Sequence, residues 1–241
     1  MMSTEQEQQI TDYLIFHRLP LDILLEVKDH MISQVLDIQS DENLNFDEAF
    51  LKTKKLWESE FKSTGYSAFY HEQIPVIVKR IVKIKYNAIF KKSLLLGLVS
   101  FAVNLLLIYL SADQEMYNDL FRLYNCLFFL VPFLIWIFNP SMRKYVKRDF
   151  KFQGKLNYTM YQQNLGMYVI CANVMFQLIL REDKHAYRFF RTESPVEIFP
   201  LLITLIMPYI LQVFIIFLLI NFFEHKKTLV KIKDFIKVSE A

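Results

Sequence analysis

Four long apolar stretches are the feature that most constrains how this chain can fold. They lie at residues 93–110, 120–138, 158–180 and 198–223. A helix needs about 20 predominantly apolar residues to cross the ~30 Å hydrocarbon layer of a bilayer. Because the bilayer core offers no water, backbone groups there must pair within the helix itself. The sequence therefore predicts an all-α integral membrane protein with a four-helix transmembrane bundle.

The distribution of charge predicts the orientation of these spans. Lys and Arg are concentrated in segments 74–92, 139–157 and 224–241, whereas segment 111–119 has acids and no base, and segment 181–197 is balanced. Cytoplasmic loops of membrane proteins are enriched in Lys and Arg. The alternation predicts a multi-pass protein of the cell membrane with both termini in the cytoplasm. The acidic, polar start of the chain does not resemble a cleavable signal peptide, so we expect the internal spans to direct insertion.

Residues 1–73 have a different composition from the spans. They contain 14 acidic and 6 basic residues, and their apolar residues recur at helical spacing. This periodicity predicts three short helices, at about residues 5–17, 21–39 and 45–61. The third is expected to begin at Asn45, with Glu48 as a capping-box partner. A three-helix domain of this size has a marginal core, so we expect it to dock on membrane loops or to self-associate.

Two runs within the second and third of these helices form a characteristic pattern. They are Leu24-Leu25-Glu26-Val27-Lys28-Asp29-His30 and Phe46-Asp47-Glu48-Ala49-Phe50. The first run has Glu and His one helical turn apart, and the second has Glu-Ala at the start of a helix. This pattern resembles the HAAS domain, a small helical module that precedes membrane spans in bacterial permease-prefix and sensor-associated proteins.

The resemblance to this family covers residues 8–63. It implies a cytoplasmic adaptor module in a regulatory or transport-linked protein of a bacterial inner membrane, and it implies no enzymatic activity. On this basis Glu26, Asp29 and His30 are candidate contacts to a protein partner. A metal site needs three or four ligands, and Glu26 with His30 supplies two, so we predict neither a metal nor a cofactor.

The basic segments are candidates for contact with anionic lipid. Segment 74–92 has apolar and basic residues in alternation, as expected of an amphipathic juxtamembrane helix lying on the lipid surface. The alternative is simple positive-inside flanking, which requires only the charge. Each basic residue near an anionic surface contributes about 1 kcal/mol. The candidate lipid contacts are Lys79, Arg80, Lys83, Lys85, Arg143, Lys144, Lys147 and Arg148.

Polar residues within the spans are the remaining candidates for function. They include Asn104, Asn125, Gln162, Asn173, Gln177 and Gln212. The third span holds Gln162, Asn173 and Gln177 on nearly one side. These side chains could line a polar path, or they could form hydrogen bonds between helices, each contributing about 0.6 kcal/mol. We favour the second interpretation, because pumps and transporters usually need buried ionisable residues, and the spans contain Arg122 alone.

No catalytic constellation is visible in the sequence. Four glycines in total exclude a Gly-rich phosphate loop, and there is no nucleophile elbow or HExxH helix. Cys126 and Cys171 lie in apolar runs and are expected to pack as small hydrophobic residues. The predicted function is therefore a non-enzymatic regulatory or adaptor protein that acts through protein contacts of its cytoplasmic helical domain.

Two alternatives remain open. The first is a small-solute transporter or permease subunit. The second is a membrane enzyme whose basic loop, residues 143–155, holds a phosphorylated lipid. In each case the expected partners are membrane lipids and either a cytoplasmic protein or a second copy of the chain, without nucleic acid.

Overall fold

The computed structural model describes residues 2–67, 70–140, 151–152, 156–157, 159–161, 165–180, 184–192, 195 and 197–239. The helices in these residues are α1 (Thr4–Phe16), α2 (Leu21–Glu42), α3 (Phe46–Phe61), α4 (Val76–Leu110), α5 (Gln114–Ile137), α6 (Leu165–Leu180), α7 (Lys184–Arg191) and α8 (Ile198–Ser239). The predicted all-α class is confirmed. The chain divides into a first unit, within Met1–Tyr86, Lys147–Gln162 and His225–Ala241, and a second unit, within Asn87–Val146 and Gln163–Glu224.

The three N-terminal helices begin and end close to where the sequence predicts. Ser3 and Gln6 form a capping box at α1, in which the Gln6 N–H donates to Ser3 Oγ at 3.2 Å and the Ser3 N–H donates to Gln6 Oε1 at 2.9 Å. Asn45 caps α3 by accepting from the Glu48 N–H at 3.0 Å. Asn43 ends α2 in the left-handed conformation. Such caps satisfy backbone groups that have no partner within the helix.

The core of the first unit combines these three helices with parts of α4 and α8. Its most buried residues include Ile10, Leu14, Leu24, Met31, Ala49, Ile77, Val78, Val82 and Ile232. The inward-facing positions of α3 include Thr53, Trp57 and Phe61, and the Trp57 indole N–H donates to Gln34 Oε1 at 2.7 Å. Leu56, by contrast, is 60% exposed. Leu56 lies about 100° from Trp57 around the helix, which places it at the edge of that face.

Two short strand pairs were not predicted from the sequence. Ser63–Ser67 (β1) pairs with Tyr70–Pro75 (β2) in an antiparallel hairpin, in which Thr64 lies opposite Ile74. Lys151–Phe152 (β3) pairs with Leu156–Asn157 (β4) in the same way. The β1–β2 hairpin lies between α3 and α4, across the boundary at residue 73 that was predicted between the helical domain and the juxtamembrane helix.

In the part of the chain that the structure describes, three helices are long and apolar enough to cross a membrane: Val76–Leu110, Gln114–Ile137 and the Ile198–Ile236 part of α8. Only 28%, 22% and 28% of their most apolar windows are buried within the protein. Apolar surface of this extent, left uncovered by the protein, is expected to face lipid. The chain is therefore membrane-embedded.

The third predicted span, residues 158–180, corresponds in part to α6. This apolar helix has 16 residues, a length of about 24 Å. Residues 158 and 162–164 of the predicted span lie outside the described residues. The membrane spans identified by length and composition in the described chain therefore number three, and α6 is a shorter apolar helix.

Two boundaries drawn from composition fall inside single helices. The predicted juxtamembrane helix (74–92) and the first span are one helix, α4, and the last span continues into the predicted tail as α8. The change from basic to apolar residues alters the solvent preference of the side chains without interrupting the backbone, since no Pro occurs between residues 76 and 110. Charge patterns therefore marked a change of environment, which is not the same as the end of a helix.

Candidate functional site

The segment Thr159–Tyr161 is held in the first unit by three different helices. Met160 is bonded through its backbone: its N–H donates to Asp22 Oδ2 of α2 at 3.3 Å, and its carbonyl accepts from the Tyr86 hydroxyl of α4 at 2.9 Å. Thr159 Oγ1 lies 2.6 Å from His225 Nδ1 of α8. We call Asp22, Tyr86, Thr159, Met160 and His225 the junction.

The junction is shielded from solvent where its polar groups meet. Thr159 is 1% exposed and His225 is 3% exposed. Asp22 is half-buried as a residue, but its Oδ1 is inaccessible and has no hydrogen-bond partner among the described residues. Buried polar groups are costly unless they are paired. These bonds therefore contribute both to stability and to the specific position of segment 159–161.

Burial raises the pKa of the Asp22 carboxyl from 3.8 to about 6. The Met160 N–H and the Lys85 ammonium lower this pKa, but by less than burial raises it. Lys85 also forms an ion pair with Glu26 at 3.4 Å. Desolvation disfavours the ionised form of a carboxyl and shifts its pKa upward. Asp22 therefore titrates within two units of neutral pH, at the point where α2 contacts segment 159–161.

Three of the candidate lipid contacts on α4 interact within the first unit. Lys79 donates to the Gly65 carbonyl at 2.7 Å, Arg80 pairs with Glu60 at 3.0 Å, and Lys85 pairs with Glu26. Lys83 is exposed. Contact with lipid stays a prediction for all four. The other candidates, Arg143, Lys144, Lys147 and Arg148, lie outside the described residues.

The candidate partner contacts on α2 are in two situations. Glu26 is exposed but paired with Lys85, whereas Asp29 and His30 are exposed on the surface of the helix. Val27, between them in sequence, is 1% exposed and faces the core of the first unit. Asp29 and His30 therefore remain accessible to a partner while α2 stays packed, and the contact itself stays a prediction.

In the second unit, hydrogen bonds join polar side chains from α4, α5 and α8. Gln212 Nε2 donates to Asn125 Oδ1 at 2.8 Å, and Ser100 Oγ donates to Gln212 Oε1 at 2.8 Å. The Tyr124 hydroxyl donates to Ser100 Oγ, because Ser has one O–H and uses it on Gln212. We call Ser100, Tyr124, Asn125 and Gln212 the polar cluster. It links three apolar helices at a defined register.

The other polar candidates within the spans lie apart from these bonds. Asn104 is 2% exposed, and its Oδ1 has no partner in the described part of the chain. Asn173 and Gln177 are exposed on α6, and Gln177 Nε2 donates to Asn173 Oδ1 at 3.2 Å. Gln162 lies outside the described residues. The structure thus brings Asn125 and Gln212 together, and it leaves Asn173 and Gln177 on a separate surface.

Several members of these sites were not predicted from the sequence. Ser100 and Tyr124 carry hydroxyl groups, which are common in membrane helices and give no distinct signal. In the sequence, Asp22 resembles any acidic residue in the first turn of a helix. His225 resembles any residue of a basic tail. No local pattern pairs residue 22 with residue 160, so only the tertiary structure shows the junction.

Comparisons with protein-family models, curated proteins and solved structures gave no match to this chain. Within the described residues, no group of three or more His, Cys, Asp or Glu is placed to hold a metal ion. The junction and the polar cluster are therefore the two candidate sites of this chain.

Proposed function

We propose that this chain is a regulatory or adaptor protein of the cell membrane that acts through protein contacts of its cytoplasmic helical domain. In this proposal the chain crosses the membrane four times, α6 forms most of the third span, and both termini lie in the cytoplasm. The support for this orientation is the alternation of basic and non-basic segments along the chain.

The observation that carries the proposal is the junction. Residues 159–161 lie at the start of the predicted third span, and α2 contacts them through the bond from the Met160 N–H to Asp22. The first unit also includes the start of α4 and the end of α8, both of which continue into apolar segments. A partner that displaces α2 would therefore act directly on segments that continue into the proposed spans.

The outer surface of α2 offers a place for such a partner. Asp29 and His30 are exposed, and the resemblance to the HAAS module rests on the run that contains them. Lys28, between this surface and the core, pairs with Glu7 at 3.4 Å, and its ammonium lies 5.9 Å from the centre of the Phe235 ring. Contacts on α2 are thus linked to α1 and to the end of α8.

Affinity purification from native membranes in mild detergent tests this proposal. The full chain and the double variant Asp29→Ala/His30→Ala are compared, and co-purifying proteins are identified by mass spectrometry. Asp41→Ala, an exposed acid elsewhere on α2, is the matched control. We expect a regulator or sensor protein to be lost with the double variant and kept with the control. Point variants are preferable to deletion of residues 1–73, which would uncover the apolar surface of Ile77 and Ile232.

If the double variant retains all the proteins that the unmodified chain retains, the proposed role of α2 is wrong. Recovery of a transport ATPase with all three forms favours the second candidate function, a small-solute transporter or permease subunit. Two observations in the second unit support that candidate: the buried hydrogen bonds of the polar cluster, and the buried Asn104 Oδ1, which has no hydrogen-bond partner among the described residues. Uptake assays on Asn104→Leu would then identify a role in transport.

A further inference from the structure

We propose that the exposed face of α6 is an interface with α6 of a second copy of this chain, centred on Asn173 and Gln177. This inference rests on the proposed function in one respect, which is that α6 lies in the membrane. Asn173 is close to the middle of the 16-residue helix, and Gln177 follows one turn later. Both side chains are exposed.

Hydrogen bonding between these two amides is incomplete. Gln177 Nε2 donates to Asn173 Oδ1 at 3.2 Å. This bond leaves Asn173 Nδ2 as a donor and Gln177 Oε1 as an acceptor, and neither has a partner among the described residues. An amide transferred to a medium without hydrogen-bonding groups costs several kcal/mol. Lipid tails cannot supply those partners, whereas the amides of a second helix can.

The residues around the two amides have the spacing of a helix–helix seam. The exposed positions are Val169, Ile170, Asn173, Phe176, Gln177 and Leu180. They recur at intervals of three and four residues, the spacing that allows side chains of one helix to fit between those of another. The opposite face of α6 is already covered, since Cys171 and Met175 are 4% and 1% exposed in the core of the second unit.

The chemistry of the seam favours a second copy over another occupant. Each copy presents the same unpaired donor and the same unpaired acceptor. Two copies related by a two-fold axis bring these groups together twice, because the same patch meets itself. A purely apolar helix would leave both groups unpaired. A polar residue in such a seam also fixes the register and the number of helices, so we infer a parallel dimer.

Disulfide cross-linking of the full chain in native membranes tests this inference. The background variant is Cys126→Ser, since Cys126 is exposed and Cys171 is buried. Val169→Cys places a thiol on the seam at a position that is 63% exposed. Leu127→Cys is the matched control, because Leu127 is 51% exposed on a different helix, α5. We expect a disulfide-linked dimer with Val169→Cys and none with Leu127→Cys.

A second pair of variants tests whether the amides drive the association. Asn173→Leu/Gln177→Leu in the Val169→Cys background is expected to weaken dimerisation about 10-fold in a lipid-dilution series, since interhelical hydrogen bonds in membranes contribute about 0.6 kcal/mol each and at most about 2. Asn173→Gln, which keeps a donor and an acceptor, is expected to retain most of the dimer. Equal cross-linking of both cysteine variants, no cross-linking of Val169→Cys, or cross-linking to a different protein would each overturn the inference.

Labelling with a water-soluble maleimide separates this inference from the proposed function. If Val169→Cys reacts as fast as a thiol on α2, then α6 is not in the membrane and the proposed topology is wrong. If Val169→Cys is protected but forms no dimer, only the interface is wrong.

Discussion

Replacement of Asp22 by Asn is expected to stabilise the protein at neutral pH. The carboxyl has a pKa of about 6 in the folded protein, against 3.8 for an ordinary aspartate. Between these values the folded state keeps a proton that the unfolded state has released, so stability falls as pH rises through this window. Above about pH 6 the folded protein bears the full cost of ionising the buried Asp22 carboxyl. A difference of this size corresponds to about 3 kcal/mol.

Asn removes this cost without removing the hydrogen bond. Its side-chain oxygen can still accept from the Met160 N–H, which lies 3.3 Å from Asp22 Oδ2 in the parent chain. We therefore expect Asp22→Asn to raise the free energy of unfolding by about 3 kcal/mol at pH 7.5, and the gain to disappear toward pH 4. Asp22→Ala should behave differently, because it leaves the Met160 N–H without its acceptor, at a cost of about 1–3 kcal/mol.

The measurement is thermal unfolding of the purified full chain in mild detergent, followed at several values of pH between 4 and 8. Asp12→Asn is the matched control, since Asp12 is exposed on α1. A destabilised Asp22→Asn at pH 7.5, or a gain that does not change with pH, would refute the assignment of a raised pKa to this carboxyl.

Three further predictions concern the second unit and the topology. Gly97→Val is expected to lower the melting temperature of the full chain sharply, because a Cβ at this position of α4 would overlap a side chain of α8, whereas Gly65→Ala meets open space and should have little effect. Gln212→Leu leaves buried partners without their hydrogen bonds and should cost about 1–3 kcal/mol in thermal unfolding; an unchanged melting temperature would show that the polar cluster does not contribute to stability. A thiol introduced as His30→Cys should be labelled in inverted membrane vesicles, and one introduced as Asp113→Cys in right-side-out vesicles; labelling of both from one side contradicts the proposed orientation.

Local patterns were sufficient for the elements whose physics is local. The cap at Asn45 and the apolar periodicity of residues 1–73 depend on neighbouring residues, and the ends of α1, α2 and α3 agree with the predicted ends within about one turn. The same reasoning failed for the β1–β2 hairpin. Its residues were divided at position 73 between the predicted helical domain and the predicted juxtamembrane helix.

Boundaries drawn from charge were less informative than boundaries drawn from caps. Basic segments mark where side chains meet water or lipid headgroups, but a helix ends only where its backbone hydrogen bonds end. For this reason α4 runs from Val76 through the predicted boundary at residue 92, and α8 passes residue 223 and continues to Ser239.

The sequence by itself determined that the chain is helical and membrane-embedded, because apolar length, periodicity and caps act over a few residues. Only the tertiary structure decided which polar groups meet. Asp22 and Met160 are 138 residues apart, and Asn125 and Gln212 are 87 apart. Such pairs form when packing removes both partners from water, and the cost of leaving either unpaired then selects one arrangement. That selection depends on the whole fold, which no local pattern contains.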